Sequence, residues 1–449
     1  MIEDPRARPS RGPQNVVVVG AGFTGLAAAR DLARRGLRPT VLEAEPDPGG
    51  LAGSFRVGDG RLERFYHHWF TSDRHLMDLV AELGLSHQLI TRPVGTGLYY
   101  ANALFRLSSP LDVLTFSALS LPGRVRLGML PLIALATRRW QDLDDIAASA
   151  WLRRACGEEV YRVVWEPLLR GKFGVHADTV SAAWFWSKLR LRGASRGRAG
   201  HEQLVYFRGG FAALADAIVR DIEAKGGRVV TGAPVTALAA RDGRVTGVTA
   251  GGAHYPADAV IITTPLPEAA GLLSGLAPDD YIKRLRRIRY LANRCIILEL
   301  DRSLSNLYWI NVNDPEFPFV GVIEHTNFAR AADYGGRHIV YLSRYCTQDD
   351  PFLSLSPQDA AAYTTGHLRR MFPSFDPGMI LAVHSWQTRS AQPIVETGYA
   401  KLVPSHETPL AGVFLATMAQ VYPEDRGTNY AIRDGYKVAG LVVSDLAAV

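Results

Sequence analysis

The chain has 449 residues, 47% hydrophobic and 21% charged, with a formal net charge of +6. It is long enough for two or three lobes with cores of their own. Arginine supplies nearly all the positive charge and is spread along the chain without an RNA- or DNA-binding motif, which argues against nucleic acid as a partner. The three cysteines, Cys156, Cys295 and Cys346, stand far apart with no Cys-x-x-Cys spacing. That argues against a zinc site or a disulfide framework and fits a reducing compartment; no metal site is expected.

Residues 1–14 are polar and proline-rich and read as a disordered tail, without the apolar stretch of a signal peptide. No apolar run is long enough for a transmembrane helix, so a cytoplasmic protein, soluble or peripheral to a membrane, is expected. Val16–Val19 then run directly into Gly20-Ala-Gly22-Phe23-Thr24-Gly25, followed by a helix-like stretch to Arg35 and a second strand ending at Glu43-Ala44. Each part has a mechanical reason. Gly20 permits the turn, Gly22 admits a pyrophosphate against the backbone, and Gly25 lets the helix pack on the strand. The helix start offers N–H groups to phosphates, and Glu43 stands where a carboxylate binds a ribose diol. Strand, turn, helix, strand and acid in register predict a dinucleotide-binding βαβ unit.

A second glycine cluster follows at Gly49-Gly50-Leu51-Ala52-Gly53, suited to backbone lying flat against a bound ring or phosphate. His67 and His68 come next on an extended segment, titrate near neutrality, and are the first acid–base candidates. Alternation along a strand would point them opposite ways, so at most one of the two reaches a cofactor, and a histidine merely hydrogen-bonded in the core is the alternative for each. A helix is expected from Arg74 to Leu83, ended by Gly84, and residues 110–170 read as mainly helical. Within them, 124–140 joins an apolar run to Arg124, Arg126, Arg138, Arg139 and Trp140, the pattern of an interfacial helix; a buried core helix is the alternative. Lys188, Arg190, Arg192, Arg196 and Arg198 around Gly193, Gly197 and Gly200 form a basic loop able to hold a diphosphate or lipid phosphate, or a solvated loop.

From Tyr206 the pattern becomes β-rich runs and a helix over 212–225, with strands expected around Val235, Val245–Ala250 and Asp258–Pro265, including Thr264. Residues 287–396 are β-rich with many aromatics, and Trp386, Gln387 and Arg389 stand before Ala391-x-Pro393. A buried strand over 412–416, a loop through Thr417, Met418, Tyr422, Asp425 and Arg426, and a helix from Gly427-Thr428-Asn429 close the chain. That loop lies between strand and helix, where such folds meet their ligands.

In this order the motifs resemble the amine oxidase, protoporphyrinogen oxidase and phytoene desaturase superfamily of flavoproteins, from Val16 to Val442. The resemblance rests on Gly20-x-Gly22-x-x-Gly25 with Glu43, Gly49-Gly50, Arg208-Gly-Gly-Phe-x-x-Leu214, Val235, Val260–Pro265, Ala391-x-Pro393 with Gly398, and the C-terminal strand, loop and helix. It implies FAD as cofactor and a two-lobed α/β fold: an FAD-binding Rossmann-like domain of the glutathione-reductase type and a helical plus β-sheet substrate domain. The expected division is 15–70, 205–285 and 400–449 for FAD, and 71–204 with 286–399 for substrate. It further implies Val235 at the adenine, and Thr264-Pro265 and Thr417-Met418 along the cofactor. There are departures: Leu51 replaces an arginine common among relatives, and Thr417-Met418 replaces Gly-Asp. No lysine falls where the superfamily's amine oxidases place theirs.

The segment His68-Trp-Phe-Thr-x-Asp73 is also similar to UDP-galactopyranose mutase. Two reactions are therefore expected in turn: hydride transfer between a C–H or C–N bond of a hydrophobic, isoprenoid or lipid-linked substrate and FAD, or redox-neutral use of reduced flavin on a nucleotide sugar. Amine oxidation is a third reading. Tyr422, Asp425 and Arg426 join His67 and His68 as the residues expected at the chemistry.

Overall fold

The computed structural model describes residues 14–194 and 203–448. Residues 1–13 of the tail expected over 1–14, and Arg196, Gly197, Arg198 and Gly200 of the basic loop, lie outside the described residues.

Four hydrophobic β-branched residues in a row cannot alternate between core and water, so a strand built from them must be covered on both faces. Asn15–Val19 is such a strand, with Val16 to Val19 all buried. It is central in a five-stranded sheet ordered Arg228–Val230, Arg38–Leu42, Asn15–Val19, Ala259–Ile262 and Val413–Leu415. Every pairing in it is parallel. The helices Phe23–Arg34, Gly210–Ala224 and Thr428–Ala448 cover this sheet. The last helix approaches the first closely at Gly435, where a Cβ would sit 2.5 Å from the Thr24 carbonyl oxygen. Beginning, middle and end of the chain thus build one parallel layer, with these helices on one face and the antiparallel strands Val235–Arg241 and Arg244–Ala250 packed on the other.

The second lobe is organised by Tyr290–Leu300, eleven residues that are all buried. It lies in a seven-stranded sheet ordered Ile380–Pro393, Tyr290–Leu300, His338–Cys346, Gly321–Glu324, Trp309–Val312, Thr96–Tyr100 and Ala103–Arg106. The last two strands lie between the expected helices, in a stretch where the sequence announces no strand. Their hairpin turns at Ala101 and Asn102, both left-handed (φ 52° and 56°), without the glycine that marks such turns. Leu89–Pro93 is a further unforeseen strand, paired with Gln203–Phe207, which in turn pairs with Trp69–Phe70.

Helices Leu121–Ala136, Ala148–Val160, Glu166–Phe173 and Ala182–Ala194 form a layer beside this sheet. Ala182–Ala194 anchors it through the buried run Trp184-Phe185-Trp186. The Trp186 Nε1–H donates to the Ala134 carbonyl at 2.7 Å, tying this helix to Leu121–Ala136. Among the described residues no helix is long and apolar enough to cross a membrane.

Candidate functional site

The glycine turn is held open by Glu43. Its Oε2 accepts the Ala21 N–H at 2.6 Å and its Oε1 the Glu45 N–H at 2.9 Å, fixing the carboxylate at the mouth between the first two strands. Each carboxylate oxygen keeps a lone pair for a ribose hydroxyl. Opposite, the Gly49 N–H donates to the Ala21 carbonyl at 2.9 Å, and Gly22 and Gly49 form an isolated parallel bridge. A Cβ on Gly50 would meet Gly22 Cα at 3.1 Å, and Gly50 itself is left-handed. Both glycine clusters therefore press into one cradle of bare backbone. Phe23 lends it only its backbone, since its ring is buried edge-on against Phe211 at 6.1 Å. Thr24 and the exposed Ala44 border the turn, Leu51 and Ala52 lie in a short turn after the cradle, and Val235 is half-buried at the start of the strand Val235–Arg241.

The residues present fit FAD. Thr264 Oγ1, Trp386 Nε1 and Arg426 Nε are buried polar atoms without a hydrogen-bond partner among the described residues. Thr264 follows the strand Ala259–Ile262, Pro265 caps the next helix, and Arg426 precedes the last helix. Gly427, Thr428 and Asn429 open that helix, whose first N–H groups have no intrahelical acceptor and form a positive dipole end. The Asn429 side chain is engaged elsewhere, its Oδ1 accepting the Leu76 N–H at 3.2 Å. Thr417 is buried and caps a short turn through Ala419 N, with Met418 half-buried beside it.

Five separate segments converge next to Arg426. The Asp425 carboxylate receives Lys188 Nζ at 2.6 Å, Lys172 Nζ at 3.4 Å and the Trp184 indole N–H at 3.0 Å. Arg426 Nη2 donates to the Tyr345 hydroxyl at 3.1 Å. Lys172 stands over the rings of Trp184 and Phe173 at 4.8 and 5.5 Å, with Tyr345 at 5.4 Å. Burial would raise the Asp425 carboxyl, but Lys172, Lys188 and Arg426 outweigh it and hold it well below the ordinary value. Burial also lowers the Lys172 ammonium, against the pull of Asp425. The Tyr66 hydroxyl joins this wall through Ser343 and Tyr345.

The two histidines face different partners. His67 Nδ1–H donates to the Phe65 carbonyl at 2.6 Å, and its ring lies 5.2 Å from Phe211. Burial lowers its pKa to about 4, with Arg426 adding to the effect. His68 shares a hydrogen bond with the Tyr308 hydroxyl at 3.1 Å and packs against Phe70 and Trp309. Tyr422 is bonded to Asp144 and, at 2.7 Å, to Ser181, which makes it a brace between loop and helices. The Asp425 carboxylate is held by Lys172, Lys188 and the Trp184 indole.

Sequence reasoning missed three participants. Lys172 and Trp184 carried no motif, although Trp184 and Lys188 share a helix face at i,i+4 spacing. Lys188, read as part of the basic loop, points to Asp425 instead, while Arg190 stacks on Trp186 at 4.9 Å. Glu63 is the third: it accepts the Phe211 N–H and the Tyr206 hydroxyl, each at 2.7 Å. A Cβ on the left-handed Gly210 would meet its Oε1 at 2.7 Å, so the Arg208-Gly-Gly-Phe motif admits this buried acid.

The profile of the family described as flavin containing amine oxidoreductase matches residues 23–443. Coproporphyrinogen III oxidase of Bacillus subtilis (strain 168) is 26% identical over 309 residues, covering 62% of this chain and 65% of that protein. The match thus spans less than two thirds of that oxidase. The 15-cis-phytoene desaturase of Synechococcus elongatus is 23% identical over 440 residues, covering 89% and 90%. The fold of reduced UDP-galactopyranose mutase superposes with a TM-score of 0.75 at 15% identity, covering 96% of each chain.

Proposed function

Since the chain belongs to the family of flavin containing amine oxidoreductases and its cofactor is FAD, we propose that it moves a hydride between a C–H or C–N bond of a hydrophobic substrate and the flavin, working peripheral to a membrane. The observation that carries this reading is the cluster of Lys172, Asp425 and Arg426 walled by Trp184, Phe173 and Tyr345 where helical layer, large sheet and C-terminal loop meet. When bound, the flavin supplies the hydride acceptor. The chain's own residues do the rest. The rings give an apolar substrate flat surfaces and exclude water, and the cluster fixes them in place. Dehydrogenation releases a proton as well as a hydride, and we assign that proton to Lys172, whose ammonium burial lowers against the pull of Asp425. The names of the two relatives, an oxidase of a coproporphyrinogen and a desaturase of a phytoene, favour a C–H bond over an amine.

Anaerobic mixing of the FAD-loaded protein with reduced tetrapyrrole, polyene and amine substrates tests this reading. One product per flavin reduced is expected. Many turnovers of a UDP-sugar after a single prior reduction, with the flavin spectrum unchanged, would overturn it in favour of the mutase-like reaction.

A further inference from the structure

Helix Leu121–Ala136 is apolar on two faces, and only one of them is packed. Gly123, Leu130 and Ala134 are buried against the helical layer. On the other side Leu121 (71% exposed), Val125, Met129, Leu132 and Leu135 stand bare, joined by Leu111 and Leu114 of the preceding short helix. At 3.6 residues per turn the five from the longer helix fall within roughly 120° of arc. The stripe is therefore continuous, and a contiguous bare surface of seven large apolar side chains marks an interaction site.

Its charge surroundings select the occupant. Leu121–Ala136 contains no acidic residue. The exposed Arg126 flanks the stripe near its start, with the half-buried Arg124 donating to the Leu119 and Leu114 carbonyls on its other side, and the exposed Arg138 and Arg139, the latter 3.7 Å from Asp142, follow its end. We infer that this face docks on a bilayer surface containing anionic lipid, the apolar stripe entering the acyl boundary and the guanidinium groups meeting the headgroups. A second copy of the chain is disfavoured by the same charges. Two-fold pairing of the stripe would set Arg124 and Arg126 of one helix beside Arg138 and Arg139 of the other, like charge against like. Sixteen residues of helix reach about 24 Å, so the segment lies on the membrane and does not span it.

The docked face is the outer wall of the site. Inside it, Trp186 ties Leu121–Ala136 to the helix that carries Trp184 and Lys188 to Asp425. Just past the stripe, Trp140 meets Tyr422 edge-on at 5.4 Å. Drawing an apolar substrate from the bilayer is the purpose such a face would serve; this purpose rests on the proposed function, whereas the geometry of the face does not.

Co-sedimentation of the full chain with vesicles tests the inference. Pelleting is expected with phosphatidylcholine mixed with phosphatidylglycerol, much less with phosphatidylcholine alone, and should weaken as salt rises. Leu132→Glu combined with Val125→Glu, both exposed, should cut the bound fraction at least about tenfold with circular dichroism and flavin content unchanged. Arg138→Glu with Arg139→Glu should abolish the preference for anionic lipid. Wild-type protein staying in the supernatant at low salt would overturn the inference. So would apolar-face variants that pellet as well as wild type, or a solution dimer split by Leu132→Glu without vesicle binding. Flavin reduction by detergent-dispersed substrate is read separately: its absence alongside intact vesicle binding counts against the proposed reaction and leaves the docking face standing.

Discussion

Replacing Asp425 by Asn probes the charged centre directly. The carboxylate sits 2.6 Å from Lys188 Nζ and 3.4 Å from Lys172 Nζ, and accepts the Trp184 indole N–H at 3.0 Å. Asparagine keeps an oxygen for Trp184 and removes only the charge. Removing one partner of a buried ion pair costs about 3–5 kcal/mol, because the other charge stays behind. Lys188 is about a third exposed and water relieves part of its loss, whereas Lys172 is largely buried. The lower end, about 3 kcal/mol, is therefore expected, seen as a fall of somewhat less than about 1 M in the urea midpoint at pH 7, since m exceeds the small-protein range of about 1–3 kcal/mol/M in a chain of this size. The pH dependence separates charge from packing. The carboxyl is held well below its ordinary 3.8, so its contribution is complete above pH 4 and is lost only in strong acid. Lys172 is lowered by burial, so its charged form opposes folding until pH rises towards the ordinary 10.5. Without Asp425 that penalty grows, and raising the pH removes it. The deficit of Asp425→Asn should thus shrink between pH 7 and pH 10, measured by urea unfolding followed by tryptophan fluorescence. An unchanged midpoint at pH 7, or an equal deficit at both, would refute the reasoning.

A Cβ at Gly22 meets nothing nearer than Gly50 Cα at 3.9 Å, so Gly22→Val should fold yet purify without FAD; a full flavin complement in the released cofactor would remove the cradle. At Gly25 a Cβ would lie 2.0 Å from the Gly20 carbonyl oxygen, and Gly25→Ala should instead lose thermal stability outright in a melting scan. His67, lowered to about 4 by burial and by Arg426, stays neutral from pH 5 to 8, so His67→Asn should leave the shape of the turnover profile unchanged there; the disappearance of a limb near pH 6.5 would contradict this. Glu63 is raised by burial to about 7, so its contribution to stability is full below the ordinary 4.5 and falls as pH rises to 7. Glu63→Gln should remove that slope, on the order of 3 kcal/mol across the window, and urea midpoints that change equally with pH in both proteins would rule it out.

The dinucleotide end of this protein could be read from the chain because its signals are local. Four valines, three spaced glycines, a helix and an acid after the second strand each act within one turn or strand, and the parallel sheet with Glu43 at its mouth follows from them. The resemblance extended that reading to FAD and to the two-lobed α/β fold. The charged centre could not be found in this way. Asp425 meets lysines 253 and 237 positions away, and a charge acquires its role from whichever distant segment neutralises it. The hairpin over 96–106 was hidden because Ala101 and Asn102 accept left-handed backbone that their residue types only weakly announce. No local pattern marks Glu63, because its partners Tyr206 and Phe211 lie far along the chain and meet it only in the fold. The stripe from Leu121 to Leu135 makes the division plainest. Its apolar residues and flanking arginines are sequence, but a helix greasy on both faces can bury either, and only the packing of Leu130 and Ala134 against their neighbours decided which face was left bare.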